Sequence, residues 1–308
     1  MVRVIEIATG LQFPEGPVVL GDGTILVVEI ARKTLTRIRR DGSFQVVAAL
    51  GGGPNGAAIG PDGRCYVCNN GGLSFVERND RLLPGLAASD YEGGGIDVVD
   101  LTTGKAERLY EKCGDIQLRG PNDLVFDRQG GFWFTDLGKT FKRARQRDRG
   151  AVFYARADGS FIKQAIFPLD GPNGIGLSPD GSALYVAESH TGRVWAFQIS
   201  GPGEIQPHTG PIPGEIGRMH FSASHYAIFD SLAIDAAGNI CVADIPFGGI
   251  SVISPDGGLI EQYPTGDPFT TNICFGGGDR RTAYITASSS GRVLALEWPR
   301  PGLALAWN

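Results

Sequence analysis

Six segments of this 308-residue chain superimpose on one another, and that internal repeat limits the fold more than any other feature. They are Pro14 to Gly23 (PEGPVVLGDG), Pro54 to Gly63 (PNGAAIGPDG), Pro121 to Gly130 (PNDLVFDRQG), Pro172 to Gly181 (PNGIGLSPDG), Phe229 to Gly238 (FDSLAIDAAG) and Thr271 to Arg280 (TNICFGGGDR). A second apolar run follows each: Ile25–Val28, Cys65–Cys68, Phe132–Thr135, Leu184–Ala187, Ile240–Ala243 and Ala283–Thr286. Most copies continue into a third strand that ends in a turn, as in Leu35–Gly42 and Val152–Gly159. A strand, an Asp-Gly-type hairpin, a second strand and two more make one propeller blade. A lone blade cannot bury both of its faces, so the copies must pack radially and close into a ring. The chain is therefore predicted to be an all-β, six-bladed β-propeller, a single domain over residues 1–308. The run Val2–Ala8 is expected to pair near Gly291–Trp298 and seal the ring.

Composition agrees. The 46 glycines and 19 prolines punctuate short apolar runs, and no segment keeps apolar residues at helical spacing. The formal net charge is −5 and no basic stripe alternates with aromatics, which argues against nucleic acid as a partner. No apolar run approaches the ~18 residues a membrane span needs, and the N-terminus lacks the apolar stretch of a secretion signal. The expectation is a cytoplasmic monomer or small homo-oligomer with no membrane contact. Cys65 and Cys68 form a C-x-x-C, but residues three apart on a strand face opposite sides of the sheet and cannot share a metal. The five cysteines read as reduced thiols, buried as small hydrophobes.

One position in the repeat carries chemistry. At the start of each first strand stand Glu15, Asn55, Asn122, Asn173, Asp230 and Asn272. In a propeller that strand is innermost, so six-fold repetition directs these side chains at one end of the central channel. A single Pro-Asn-Gly is by itself a turn signal. That explanation fails for Glu15, since Glu is no turn former, and for Asp230, whose Phe-Asp-Ser context lacks the glycine. Two carboxylates and several amides in one phase suit a hard divalent cation on the axis, and the absence of His and Cys argues against a high-affinity zinc site.

A second phase follows 14 or 15 residues later: Glu29, Asn69, Asp136, Glu188 and Asp244, at the ends of second strands that return to the same face. The longest insertions, Asn70–Gly95, Leu137–Gly150 and Gly201–Ala227, are expected on that face too, where loops carry recognition. Each strand-end acid taken alone also fits a solvated surface. His190, His208, His220 and His225 lack metal spacing and read as surface residues, although His220 and His225 lie just before Asp230. There is no Gly-x-Ser-x-Gly elbow and no phosphate loop. The basic run Lys142–Arg149 reads as a solvated loop.

Phe13–Pro17, Gly120–Asp123, Gly171–Gly181 and Asp230–Asp235 together resemble the gluconolactonase and regucalcin (senescence marker protein) family over essentially the whole chain. The resemblance implies a six-bladed propeller that holds one divalent metal and hydrolyses sugar lactones, with related propellers acting on organophosphates. Position by position, Glu15, Asn173 and Asp230 resemble the family's metal ligands, and Asn122 matches a position that ligates the metal or contacts substrate. Asp230 resembles the proposed catalytic base. Two departures stand out: Phe229-Asp-Ser replaces Pro-Asp-Gly, and Arg119 is offset from the family's substrate arginine. The expected activity is hydrolysis of a small lactone or related ester, with calcium as the first expectation and zinc, manganese or iron(II) as alternatives. Asp230, Asp136 or Glu188 would take the proton from water. Asn55, Arg119 and Asn122 would orient the ring oxygens. The alternatives are a phosphotriesterase-like hydrolase or carbonyl isomerase at the same site, and a non-catalytic propeller that binds peptide or protein.

Overall fold

Each repeat copy builds one antiparallel sheet, ordered from the channel outward as the chain runs. The computed structural model describes residues 3–142, 146–211, 215 and 217–307. The innermost strands are Pro14–Val19, Pro54–Ile59, Pro121–Phe126, Pro172–Leu177, Phe229–Ile234 and Thr270–Gly276. The second strands, Ile25–Glu29, Cys65–Asn69, Gly131–Asp136, Ala183–Glu188, Ile240–Asp244 and Thr282–Ala287, return beside them, and outer strands complete six blades. Each innermost strand touches its counterparts in both neighbouring blades, and the first touches the sixth, so the ring is closed. Val4–Ala8 pairs antiparallel with Arg292–Glu297 as the outermost strand of the sixth blade, the seal expected from the sequence. Helical structure among the described residues is one 3₁₀ turn at Ser288–Ser290, and no helix is long and apolar enough to cross a membrane.

The second strands are continuous apolar runs because blades cover both of their faces. Alternate side chains enter different cores. Cys65 joins Leu26, Val28 and Leu35 between the first and second blades, whereas Cys68 joins Phe132, Phe134 and Phe153 between the second and third. The two cysteines are thus separated by their own sheet, and all five are free thiols. At the hairpins, Gly23, Gly63, Gly130, Gly181 and Gly238 have φ between +74° and +84°, the left-handed region that only glycine enters without strain. In the sixth copy Arg280 takes that position, at φ 56°.

One expected insertion is misplaced by the sequence reading. Third strands run away from the mouth that carries the polar ring, so the segment after Arg193–Gly201 emerges at the hairpin end. Gly201 and Pro202 line the channel there with Ser178–Gly181. Only its last residues return, where the Ala223 N–H donates to Gly192 O. Residues 212–214 and 216 of that insertion lie outside the described residues.

The prolines and glycines of the repeat mark strands rather than turns. Proline, which lacks an N–H, opens four innermost strands. A Cβ on Gly174 would lie 2.6 Å from Leu232 N and 2.7 Å from Asp230 O of the next blade, backbone that has no room to retreat. Gly174→Ala should therefore lower the unfolding free energy by about 1–3 kcal/mol, the usual cost of overpacking. Denaturant unfolding of the variant beside the parent measures this, and equal midpoints would mean the strands are not in contact.

Candidate metal centre

The in-phase polar residues form a ring at one end of the channel. Glu15, Asn55, Asn122, Asn173 and Asn272 are buried, and Asp230 is partly exposed at the mouth although protein surrounds it on its other sides. In all six blades the pairing between innermost and second strand slips here: at Glu15/Val18, Pro54/Ala57, Pro121/Leu124, Pro172/Ile175, Phe229/Leu232 and Thr270/Asn272. Such an irregularity re-aims a side chain that a regular strand would direct elsewhere.

Hydrogen bonds then orient the ring. Ser189 donates its hydroxyl to Phe229 O (2.6 Å), so it must accept from Asn173 Nδ2 (3.2 Å). This fixes the Asn173 amide and leaves Oδ1 without a donor. Asn122 Oδ1 is likewise buried and unpartnered. Asn272 Nδ2 donates to Glu15 Oε2 (2.8 Å), as does the Gly16 N–H (2.8 Å). Hydroxyls also tie the blades at this level: Thr135 to Asn173 O and Ser288 to Pro14 O, both at 2.6 Å.

Three acids share the site. Burial raises the Glu15 carboxyl against the hydrogen bonds from Thr271, Asn272 and Gly16. Burial, then the Glu15 charge, raises Asp230 well above the ordinary carboxylate range. The same two causes push Asp123 to about 7. Asp123 escaped the sequence reading because it lies one residue past the ring position. The signal was available: an acid stands where three other copies have Gly16, Gly56 and Gly174 and a fourth has Ser231.

Crowded carboxylates together with orphaned amide oxygens are a costly arrangement that a hard cation relieves on both counts. The donors of Glu15, Asn122, Asn173 and Asp230 therefore fit a divalent ion with oxygen preference. Among the described residues no three His, Cys, Asp or Glu side chains come together as a metal-holding group, so a cation here would depend on the amide oxygens.

The structure places the other expected site residues among loop contacts. Asp136 Oδ1 accepts from Gly120 N (2.7 Å) and Gly138 N (2.9 Å), and its Oδ2 accepts from Arg119 N (2.7 Å). Glu188 Oε1 accepts from Asp170 N (2.7 Å), and Thr191 holds its second oxygen. Glu29 and Asn69 likewise receive the N–H groups of Gln12 and Gly53. Glu29, Asn69, Asp136 and Glu188 thus anchor the loops that deliver the innermost strands, whereas Asp244 contacts His225 and Ser251 and its Oδ1 is buried without a partner. Arg119 pairs with Asp148 (Nε–Oδ2 3.0 Å) and lies over the Phe141 ring, which commits the guanidinium expected to hold substrate.

Among the histidines, His190 and His225 are exposed as expected and His220 is not. His220 is buried against Tyr185 and contacts Ser254 O, and His225 contacts Asp244 at 3.0 Å. Of the basic run, residues 143–145 lie outside the described residues, while Arg149 pairs with Asp170. A cavity of about 840 Å³ opens at the hairpin end. Apolar residues such as Val18, Ile59, Phe126 and Ile234 line it, with Asp123 and Asn272 from the polar level. Its size does not make it the reactive site, because the acids and orphaned oxygens gather toward the other end.

Residues 13–289 match the family described as SMP-30/Gluconolactonase/LRE-like region. A gluconolactonase from Zymomonas mobilis is 27% identical over 306 residues, covering 92% of this chain and 78% of that protein. The diisopropyl-fluorophosphatase of Loligo vulgaris is 28% identical, covering 85% of this chain and 88% of its own. Among solved structures, a gluconolactonase from Xanthomonas campestris superimposes with a TM-score of 0.75 at 23% identity over 97% of this chain and 90% of that one. A calcium-binding regucalcin from Agrobacterium tumefaciens does so with 0.73 at 19%, over 99% and 98%. These two likenesses concern the fold.

The raised carboxyls have a consequence for stability. An acid whose folded pKa lies above its unfolded value contributes stability below about pH 4, and that contribution is lost as pH rises through the folded value, about 7 for Asp123. Chelator-treated protein should thus lose thermal stability between about pH 4 and 7, with a shallower slope in Asp123→Asn. Added calcium should restore stability at the upper end. Melting curves across that range decide it, and a slope that neither the substitution nor any divalent ion changes would count against the cluster.

Proposed function

Because the chain belongs to the SMP-30/gluconolactonase/LRE-like family, we propose that it is a metal-dependent hydrolase that opens a small lactone. The observation that carries the metal part is the pair of buried, unpartnered oxygens of Asn122 and Asn173, in phase with the carboxylates of Glu15 and Asp230. These four residues would hold the cation, and an all-oxygen set favours calcium over softer ions. When bound, the ion supplies Lewis-acid polarisation of a carbonyl oxygen. The lactonase part rests on the Zymomonas gluconolactonase and on staphylococcal lactonase drp35 relatives, one of them 29% identical over 83% of this chain.

The residues then have separable tasks. Asp230 is the ring acid open to the mouth, where it can reach a water and a substrate that enter there. It takes a proton from the water that attacks the lactone carbonyl carbon. The ring C–O bond breaks, and the same carboxyl returns the proton to the departing alkoxide, leaving a hydroxy acid. Asn55 and Asn122 orient the ring oxygens. Glu15, oriented by Asn272 and Gly16, supplies the second carboxyl group to the cation. Asp136 and Glu188 position loops and do not take the proton.

A second reading has one observation behind it, the Loligo relative whose name gives it a fluorophosphate substrate. The same base and donors would serve attack at phosphorus. A panel of lactones and fluorophosphate esters, followed by proton release after chelation and readdition of single metals, separates the two.

Asp230→Asn should lower kcat/KM by about 10²–10⁴-fold, the usual contribution of a general base. Asp136→Asn and Glu188→Gln should instead lower the melting temperature and keep turnover in the protein that remains folded. Loss of turnover in either comparison variant at unchanged stability would transfer the base to that residue. Activity indifferent to chelation would remove the metal.

A further inference from the structure

The hairpin of strands Leu73–Arg78 and Arg81–Ala87, inserted between the second and third strands of the second blade, does not lie over its own blade. It crosses the rim of the reactive mouth to the sixth. Near its tip, where Asn79 and Asp80 have φ of 52° and 56°, Arg81 reaches Asp267 (3.2 Å) and Ser289 (3.0 Å). Asp267 is fully buried and also receives the Phe269 N–H, so the tip is tied to a fixed point. At the base, buried Lys139 donates to Asn70 Oδ1 (3.0 Å) and Gly72 O (2.9 Å), and the Ala87 N–H donates to Thr140 O. A hairpin pinned at both ends holds its side chains in place.

The pinned face is apolar. Phe75 packs on Phe13 with ring centroids 5.3 Å apart, and Phe13 meets Phe269 at 6.1 Å. Phe13 lies two residues before Glu15 in the chain and is held at φ 57°, a conformation a bulky residue adopts only where its surroundings compel it. Phe13 is buried, and Phe75 is the member of the pair left half-exposed. Around the rim, Phe141 and Tyr226, four residues before Asp230, are exposed. The group that a polyhydroxylated ring would need, the Arg119 guanidinium, is already paired with Asp148 and stacked on Phe141.

We infer that the mouth selects lactones bearing an alkyl or aryl substituent over polyhydroxylated ones, with Phe75 as the residue that receives the substituent. This rests on the lactonase reading above and narrows its substrate. The carbonyl would sit at the polar ring and the apolar substituent along the Phe75–Phe13 wall, where burial on an aromatic surface removes it from water.

The test uses the full-length protein supplied with calcium. Parent, Phe75→Ala and Phe75→Leu are assayed on an alkyl-substituted δ-lactone and on glucono-1,5-lactone. Binding of the matching alkyl lactam, a ring the enzyme opens far more slowly, is measured by calorimetry. The parent should prefer the alkyl lactone in kcat/KM. Phe75→Ala should reduce the alkyl-to-sugar ratio by about tenfold or more, mainly through KM, and weaken lactam binding by a similar factor, as losing a buried aromatic contact implies. Phe75→Leu should stay within a few-fold of the parent, and melting curves establish that both variants are folded. A parent that prefers the sugar lactone, or an unchanged ratio in Phe75→Ala, overturns the inference and leaves the lactonase reading standing. If no lactone is opened, that reading falls, and the calorimetry still decides: lactam binding lost in Phe75→Ala supports the apolar wall, and no binding overturns it.

Discussion

Everything at this site follows from how closely six innermost strands approach one another around the axis. Their backbones come into contact, so a Cβ on Gly16 would lie 2.6 Å from Asn55 O, and one on Gly56 would lie 2.6 Å from Asn122 O. With little room for a side chain between neighbours, the residue after the ring position is small in four blades, as Gly16, Gly56, Gly174 and Ser231, while Ile273 of the sixth packs into a hydrophobic core. The register slips at that level, and the preceding polar residue is turned toward the channel. Close packing thus produces both the glycine in Pro-Asn-Gly and the convergence of the amides. Asp123, where the rule is broken, places an extra carboxylate beside the others.

Convergence would be unstable without compensation, and the structure shows where it is provided and where it is not. Hydrogen bonds serve one edge of each group: Asn272 on Glu15, and Ser189 on Asn173. The remaining oxygens of Asn122 and Asn173 have no protein donor. Buried acids raised by burial and by one another, next to unpaired carbonyl oxygens, form a centre that a bound cation would stabilise. Stability and activity are therefore expected to draw on the same few side chains.

The polar strand ends look equivalent to the ring in sequence, yet their surroundings differ. Glu29, Asn69, Asp136 and Glu188 receive backbone N–H groups from the segments entering the innermost strands. Asp136 accepts three such N–H groups, and Glu29 and Glu188 accept one each beside side-chain donors, so both oxygens of every one of these carboxylates are engaged as anchors. These residues make the mouth rigid, and a rigid mouth allows the long hairpin of the second blade to be pinned across it.

What the sequence determined by itself was everything that repeats. Six copies in phase disclosed the blades, the closing N-terminal strand and the ring of Glu15, Asn55, Asn122, Asn173, Asp230 and Asn272, because a periodic pattern states its geometry once and then confirms it five times. Nothing periodic separates an acid facing the channel from one facing a loop, since both phases lie at strand ends on one face. Only the three-dimensional donors around Asp136 and Glu188 tell them apart. Arg119 was legible as a candidate, but not its commitment to Asp148. The segment Gly201–Ala227 was sent to the wrong end because strand direction, and not length, decides where an insertion emerges. Least legible was the contact of Arg81 with Ser289, 208 residues away. A non-repeating insertion carries no internal copy to align, and where it lands is settled by which distant side chains can pair with it once the ring has closed.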